Sequence, residues 1–352
     1  MRLIDLRSDT VTTPPRDMLE TIQTARLGDD VYGEDETVNH LEEMAAERFD
    51  KESALLVTSG TQANTVALLA QTKPGDAVIM ESECHIYHYE LGNFSTLGGL
   101  IPRLVEGRLG CPDPEEIERM MQREEEYRSG TRLICLENTH NRAGGTIILP
   151  SKLRAIQDVA ARHNISVYLD GARIFNAAIA TGLNVKEFSH CTNNMMFCLS
   201  KGLSAPVGSV LLGDKEFISK ARRIRKMLGG GMRKAGVIAA PGIYALDHMV
   251  ERLKEDHENA RMIAEGLRKI PGIELDMETV QTNMVRFGVN GMGLSVYGFI
   301  EEMEKKGVRV SDSGHFVRMV THYGITKEDI QFTIDATNDL GAQRQRLGNG
   351  IT

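Results

Sequence analysis

The chain has 352 residues, 41% hydrophobic and 26% charged, with a formal net charge of −8; that is a globular composition with room for one large and one smaller domain. No stretch approaches the roughly 18 to 20 apolar residues of a membrane span, and the acidic balance gives no reason to expect a nucleic-acid partner. The opening MRLIDLRSD puts charges where a secretory signal has its apolar core, so a cytoplasmic location is the expectation.

Five scattered cysteines, Cys84, Cys111, Cys135, Cys191 and Cys198, have no CxxC spacing. They argue against a disulfide framework and a zinc site and read as reduced thiols near the core. In chain order, residues 5–10 alternate only briefly before Thr13-Pro14-Pro15, and GDDVYGED at 28–35 is a polar loop. A helix is expected over 36–49, with Val38, Leu41, Met44 and Ala45 on one stripe. Residues 54–57 form a short strand, followed by the small-residue turn 58–64 and the apolar helix TVALLAQT. Such a turn can cradle a phosphate, because free backbone N–H groups and the helix dipole point at the anion. It is equally a capped βα turn.

Further strands are expected at 76–80, 101–105, 132–137, 165–170, 195–199 and 207–214, with a helix carrying the charge run 123–128 and another at about 151–163. The repeated strand–loop–helix pattern implies an α/β fold, a mostly parallel sheet covered by helices. The basic run KARRIRKM at 220–227 reads as a solvated helix face, or, with the GGG that follows, as a phosphate-facing one. A long helical region, 235–269, then gives way to short strands in IELD, VQTNMVRF and VRMVTH, which suggests a large domain over 1–247 and a smaller α+β domain over 248–352. The polar tail from Gly341 is expected to be loosely held.

Four strand ends carry small or ionisable residues, and a doubly wound sheet gathers such ends in space. Lys201 would emerge at the carboxyl end of the 195–199 strand. Its ammonium could snorkel to solvent, but the apolar approach and the small collar Gly202, Ser204 and Ala205 also suit a lysine holding a carbonyl cofactor as a Schiff base. Asp170 is a turn cap or the partner of a pyridinium nitrogen. His85 is a structural histidine or a flat partner for a ring; with His88, Cys84 and Glu90 it does not make a metal site, for want of a second ligand group. Arg173 and Arg318 read as surface ion pairs or anion ligands, and Arg318, inside the apolar FVRMV, asks for an anion. Together a lysine, an acid, an imidazole and a phosphate cradle are what pyridoxal 5′-phosphate requires. A nicotinamide cofactor is disfavoured, because no GxGxxG follows the first strand.

The motifs IDLRSDTVT, GDDVYGED, SGTQAN, ENTHN, DGARIFNA, CLSKGLSAPVGS, KMLGGGMR, LKEDHENA and RMVTH resemble, in series from about residue 3 to 335, those of the low-specificity threonine aldolases. The resemblance implies the aspartate-aminotransferase fold type and a pyridoxal-phosphate enzyme that cleaves β-hydroxy-α-amino acids to glycine and an aldehyde. Carried over by position, it makes Lys201 the Schiff-base residue, Asp170 the partner of the ring nitrogen, and His85 the ring-stacking group near the β-hydroxyl. Arg173 would lie beside the ring hydroxyl and the substrate carboxylate. Gly60, Thr61 and Ser200 would hold the phosphate, with Arg233 and Lys226 reaching it from a neighbouring subunit. Ser8 and Arg318 would bind the substrate carboxylate, and Tyr32 would approach the adjacent subunit's site in a homotetramer of dimers. No metal is implied among these roles. One departure stands out: where relatives carry a histidine in an Ile-His-Phe context, this chain reads Glu126-Tyr127-Arg128. Racemisation or β-elimination on the same cofactor is the alternative reaction, and a catalytically silent cofactor-binding protein the alternative class.

Overall fold

The structure, a computed structural model, describes residues 3–349. Seven apolar stretches pair into one sheet: β1 (Ser53–Val57), β2 (Ala77–Glu81), β3 (Ile101–Val105), β4 (Thr131–Glu137), β5 (Ser166–Asp170), β6 (Asn194–Cys198) and β7 (Ser209–Gly213). Their order is β1-β7-β6-β5-β4-β2-β3. Every pairing is parallel except those of β7, which runs against both β1 and β6. The carboxyl ends of the other six strands therefore open on one edge.

β2, β6 and β7 are buried at every position, as a sheet covered on both faces requires. Alternate residues pack on the two faces of the sheet. Leu55, Val57, Tyr168, Met196 and Cys198 face α2 (Gly60–Gln71). Leu56, Val167, Leu169 and Phe197 face α1 (Glu36–Phe49) and α3 (Pro150–Arg162). Side-chain caps start the helices: Asp35 accepts from Val38 N–H before α1, and Ser59 from Gln62 N–H before α2.

A second core, built on Ile263, Leu267, Val285, Phe287, Phe299, Val317 and Met319, lies on a three-stranded antiparallel sheet. Its strands are β8 (Met284–Phe287), β9 (Ser311–Ser313) and β10 (Phe316–Val320), in the order β8-β10-β9. Ile4 and Leu6, at the far end of the chain, belong to this core. Ile4–Asp5 pairs in parallel with Val308–Arg309, and the Val320 N–H reaches Leu6 O at 2.8 Å. The amino-terminal segment is thus strapped to the second core before it crosses to the first.

Four local expectations change. Residues 123–128 form a turn closed by a Glu125–Arg128 bridge, not a helix; the run has no apolar face to bury, and Tyr127 is 78% exposed. The 235–269 region is two helices, Gly236–His248 and Leu253–Leu267. Of IELD, a single Glu274–Gly288 bridge remains. Residues 342–349 of the tail continue the helix Lys327–Asn349, and the rest of the tail lies outside the described residues. All five cysteines are free thiols, Cys111 half-buried and the others buried. Among the described residues no helix is long and apolar enough to cross a membrane.

The basic run lies on the helix Lys215–Met227, with one guanidinium buried and another half-exposed but paired to a buried acid. Arg225 is buried and donates to Asp30 Oδ2 at 2.6 Å and to Leu56 O at 2.6 Å; Arg222 reaches Glu42, whose other oxygen caps the Leu56 N–H. The helix therefore pins the 28–35 loop to β1. Removing Asp30 leaves a buried, unpaired guanidinium, so Asp30→Ala should destabilise the fold by about 3–5 kcal/mol. Thermal unfolding checks this against Arg16→Ala, which breaks only the exposed Arg16–Glu20 pair and should cost less than about 1 kcal/mol.

Candidate active site

β5 ends in Asp170, a buried acid whose needs are met by donors alone. Its Oδ1 accepts the Ala172 N–H at 3.0 Å and its Oδ2 the Asn64 amide at 2.7 Å. Asn64 sits in the first turns of α2, and its Nδ2 also donates to Glu90 Oε1 at 2.7 Å, while its Oδ1 accepts from Tyr168 Oη. Glu90 Oε1 lies 3.0 Å from His85 Nδ1, and Glu90 Oε2 takes the Asn93 amide. His85, Glu90 and Asp170 thus bring ligand atoms within 4.8 Å of one another, a grouping that would also suit a metal ion. The Asn64 amide wedged between the two carboxylates fits a hydrogen-bonded network better than a cation.

A carboxylate oxygen accepts, so the Glu90 Oε1 contact places a proton on His85 Nδ1, and in the neutral ring Nε2 is the acceptor. Burial works against charging this imidazole, but the Glu90 hydrogen bond and the fields of Asp170 and Glu137 outweigh it and hold its pKa above 6.5. The His85 backbone N–H is fixed by Glu137 Oε2 at 2.6 Å, at the carboxyl end of β4.

Beside this cluster, α2 presents its amino terminus. A Cβ on Gly60 would lie 3.0 Å from Cys198 Sγ and 3.2 Å from Met196 Cε, so any larger residue would press these side chains back from the helix start. The Gly60 and Thr61 N–H groups have no protein partner among the described residues, as first-turn amides do not. Ser200 and Lys201 follow β6 after Leu199, and the chain turns back through Ser204, at φ +64°, with Ser204 N–H on Lys201 O. Lys201 is half-buried and its ammonium makes no hydrogen bond among the described residues, although its charge reaches Asp9.

The arginines divide. Arg173 is buried and holds Asp9 through two hydrogen bonds, Nε–Oδ2 at 2.8 Å and Nη2–Oδ1 at 2.7 Å. Burial alone would raise the Asp9 pKa, but Arg173 holds it far below the carboxylate range. Arg318, on β10, donates to Asn141 Oδ1 at 2.8 Å and to Arg7 O at 3.2 Å, and makes no ion pair among the described residues. Ser8 lies between Arg7 and Asp9 and caps Thr10 N–H at 3.2 Å.

Lys201, Asp170, His85, Gly60, Thr61, Ser200, Arg173, Arg318 and Ser8 therefore gather at or beside one edge. Tyr32, Arg233 and Lys226 do not join them within this chain. Tyr32 is 74% exposed, the Arg233 guanidinium lies 5.9 Å from its ring centre while bonded to Asp29, and Lys226 is exposed. Tyr127 stands at the amino end of β4, the opposite edge of the sheet. The motif reading passed over Asp9, Asn64, Glu137 and Asn141. Their signal was only their place inside the quoted IDLRSDTVT, SGTQAN and ENTHN, while Glu90 drew notice solely as a metal ligand.

This is the fold of the type I pyridoxal-phosphate enzymes: a solved structure of Leishmania major threonine aldolase matches with a TM-score of 0.81 and 20% identity, over 96% of this chain and 99% of that one. The family model described as beta-eliminating lyase matches residues 5–289. Low-specificity L-threonine aldolase 1 of Arabidopsis thaliana is 39% identical over 95% of both chains. The protein named alanine racemase TOXG, from Cochliobolus carbonum, is 33% identical over 96% of this chain and 87% of that one. The chain belongs to the beta-eliminating lyase family, among the low-specificity threonine aldolases.

Replacing Glu90 by Gln keeps an acceptor for Nδ1 but removes the charge that favours imidazolium. An NMR titration of the His85 ring should show a pKa above 6.5 in the parent protein and a lower one in Glu90→Gln; an unchanged pKa would contradict the pairing.

Proposed function

We propose that the chain is a pyridoxal-phosphate-dependent aldolase that cleaves β-hydroxy-α-amino acids, L-threonine and L-allo-threonine to glycine and acetaldehyde. The observation that carries this reading is one sheet edge holding an unengaged lysine, a buried acid, an oriented imidazole and open helix amides beside an arginine without an acid. The residues fit the cofactor. The amides of Gly60 and Thr61, with Ser200, suit its phosphate; Asp170 suits a protonated pyridine nitrogen; Lys201 is the point of covalent attachment. When bound, pyridoxal phosphate supplies an electron sink for a bond broken at the substrate's α-carbon.

The chain's own groups do the rest. Arg318, with Ser8 and Arg173 next to it, binds the substrate carboxylate. His85 Nε2, with Nδ1 held by Glu90, accepts the β-hydroxyl proton that an aldol cleavage must remove. Tyr32, Arg233 and Lys226 complete a neighbouring subunit's site in a cytoplasmic homotetramer of dimers; their exposure supports that reading. Racemisation is the alternative, since it needs the same cofactor residues and differs in the bond broken, but 33% identity to the racemase named above against 39% to the aldolase does not favour it.

Acetaldehyde release from each threonine diastereomer decides between them; no acetaldehyde, with D-alanine formed from L-alanine, would overturn the aldolase. Lys201→Ala should lose the visible absorption of the cofactor-loaded protein and at least about 10³-fold in kcat. His85→Ala should keep the absorption and lose about 10²–10⁴-fold in kcat.

A further inference from the structure

Two guanidiniums converge on one neutral oxygen at the edge of the site. Asn141 Oδ1 accepts from Arg318 Nη1 at 2.8 Å and, more loosely, from Arg173 Nη1 at 3.4 Å. Asn141 is 7% exposed. Its backbone N–H is fixed by Glu137 Oε1 at 2.7 Å, and the other oxygen of the same carboxylate holds the His85 N–H. The amide is therefore built into the same clamp that places the imidazole.

The charges around it are unequal. Two acids, Asp9 and Asp312, reach Arg318 by their field alone, and both oxygens of Asp9 are taken by Arg173. Arg318 is left with two neutral acceptors, Asn141 Oδ1 and Arg7 O, and its Nε has no partner among the described residues. Burial and the neighbouring Arg173 both lower its pKa, as expected of a cation held without a counter-charge. An aspartate at position 141 would have nearly the same shape and would bind Arg318 more strongly. The asparagine holds the guanidinium in place without cancelling it.

We propose that Asn141 is a positioning residue that keeps Arg318 as an uncompensated cation for the carboxylate of an α-amino acid, and that its neutrality, rather than its bulk, sets the affinity of the site for such ligands. This rests on the reading of Arg318 as the carboxylate ligand. The chemistry selects α-amino acids over amines, because only the former carry the second anchor.

The test uses the pyridoxal-phosphate-loaded protein and two ligands that share an amine: glycine, with a carboxylate, and methylamine, without one. Binding is read from the change in cofactor absorption, with no turnover required. Asn141→Asp should weaken glycine binding about 10- to 100-fold and Asn141→Ala should weaken it less, while methylamine stays within about twofold in both. A packing role predicts the reverse order, because alanine removes more atoms than the near-isosteric aspartate. Alanine equal to or worse than aspartate, parallel losses for the two ligands, or unaltered glycine binding in Asn141→Asp would each overturn the proposal. Should the aspartate variant fail to fold, the parent protein decides: acetate should compete with glycine and not with methylamine, and an absence of competition overturns the open cation. A cofactor-loaded protein that releases no acetaldehyde yet keeps the glycine–methylamine difference would remove the aldolase reading alone.

Discussion

Asp9, Glu81, Glu90, Glu137 and Asp170 are buried along one edge of the sheet, and an ionised acid taken out of water costs several kcal/mol unless donors replace the lost hydration. Much of the local architecture supplies those donors. Asn64 reaches two of the acids with one amide, backbone N–H groups of His85 and Asn141 converge on Glu137, and Arg173 encloses Asp9. Each donor comes from a different element, and the reversed β7 is compatible with this because it leaves six strand ends facing the same way.

The same arrangement separates two kinds of arginine. Arg173 is bound into the acid network and helps hold the amino-terminal segment against the sheet. Arg318 arrives from β10 with neutral partners and so retains its field. Position along the chain would not have distinguished them; the counter-charge does.

Much of the fold could be read from residue patterns, because burial imposes them. The runs at 101–105 and 36–49 became a strand and a helix with the bounds expected, and strand-end geometry made Lys201 and Asp170 candidates before any contact was known. The donors that make the site work were harder to see. Asn64 meets Asp170 across 106 residues and Arg173 meets Asp9 across 164, distances over which sequence carries no local periodicity. Charge runs carry little information for a related reason. Residues 123–128 bury nothing and form a turn, whereas Arg225, in a run read as solvated, is buried because Asp30 and the Leu56 carbonyl lie beneath it.

The site is assembled from two cores. Asp170, His85, the α2 amides and Lys201 stand on the large sheet, while Arg318 stands on the small one, and the strap of Ile4–Asp5 is anchored to the small core although Asp9 serves the large. Local opening is a matter of separate cooperative units within a chain. On the proposed roles, a loosening confined to the second core would therefore leave Asp170, His85 and Lys201 in register and withdraw Arg318 together with the anchorage of Asp9, so that recognition of the amino acid would fail before possession of the catalytic group. A ligand held at both ends would act in the opposite sense, joining the two cores and stabilising their contact by its own binding energy.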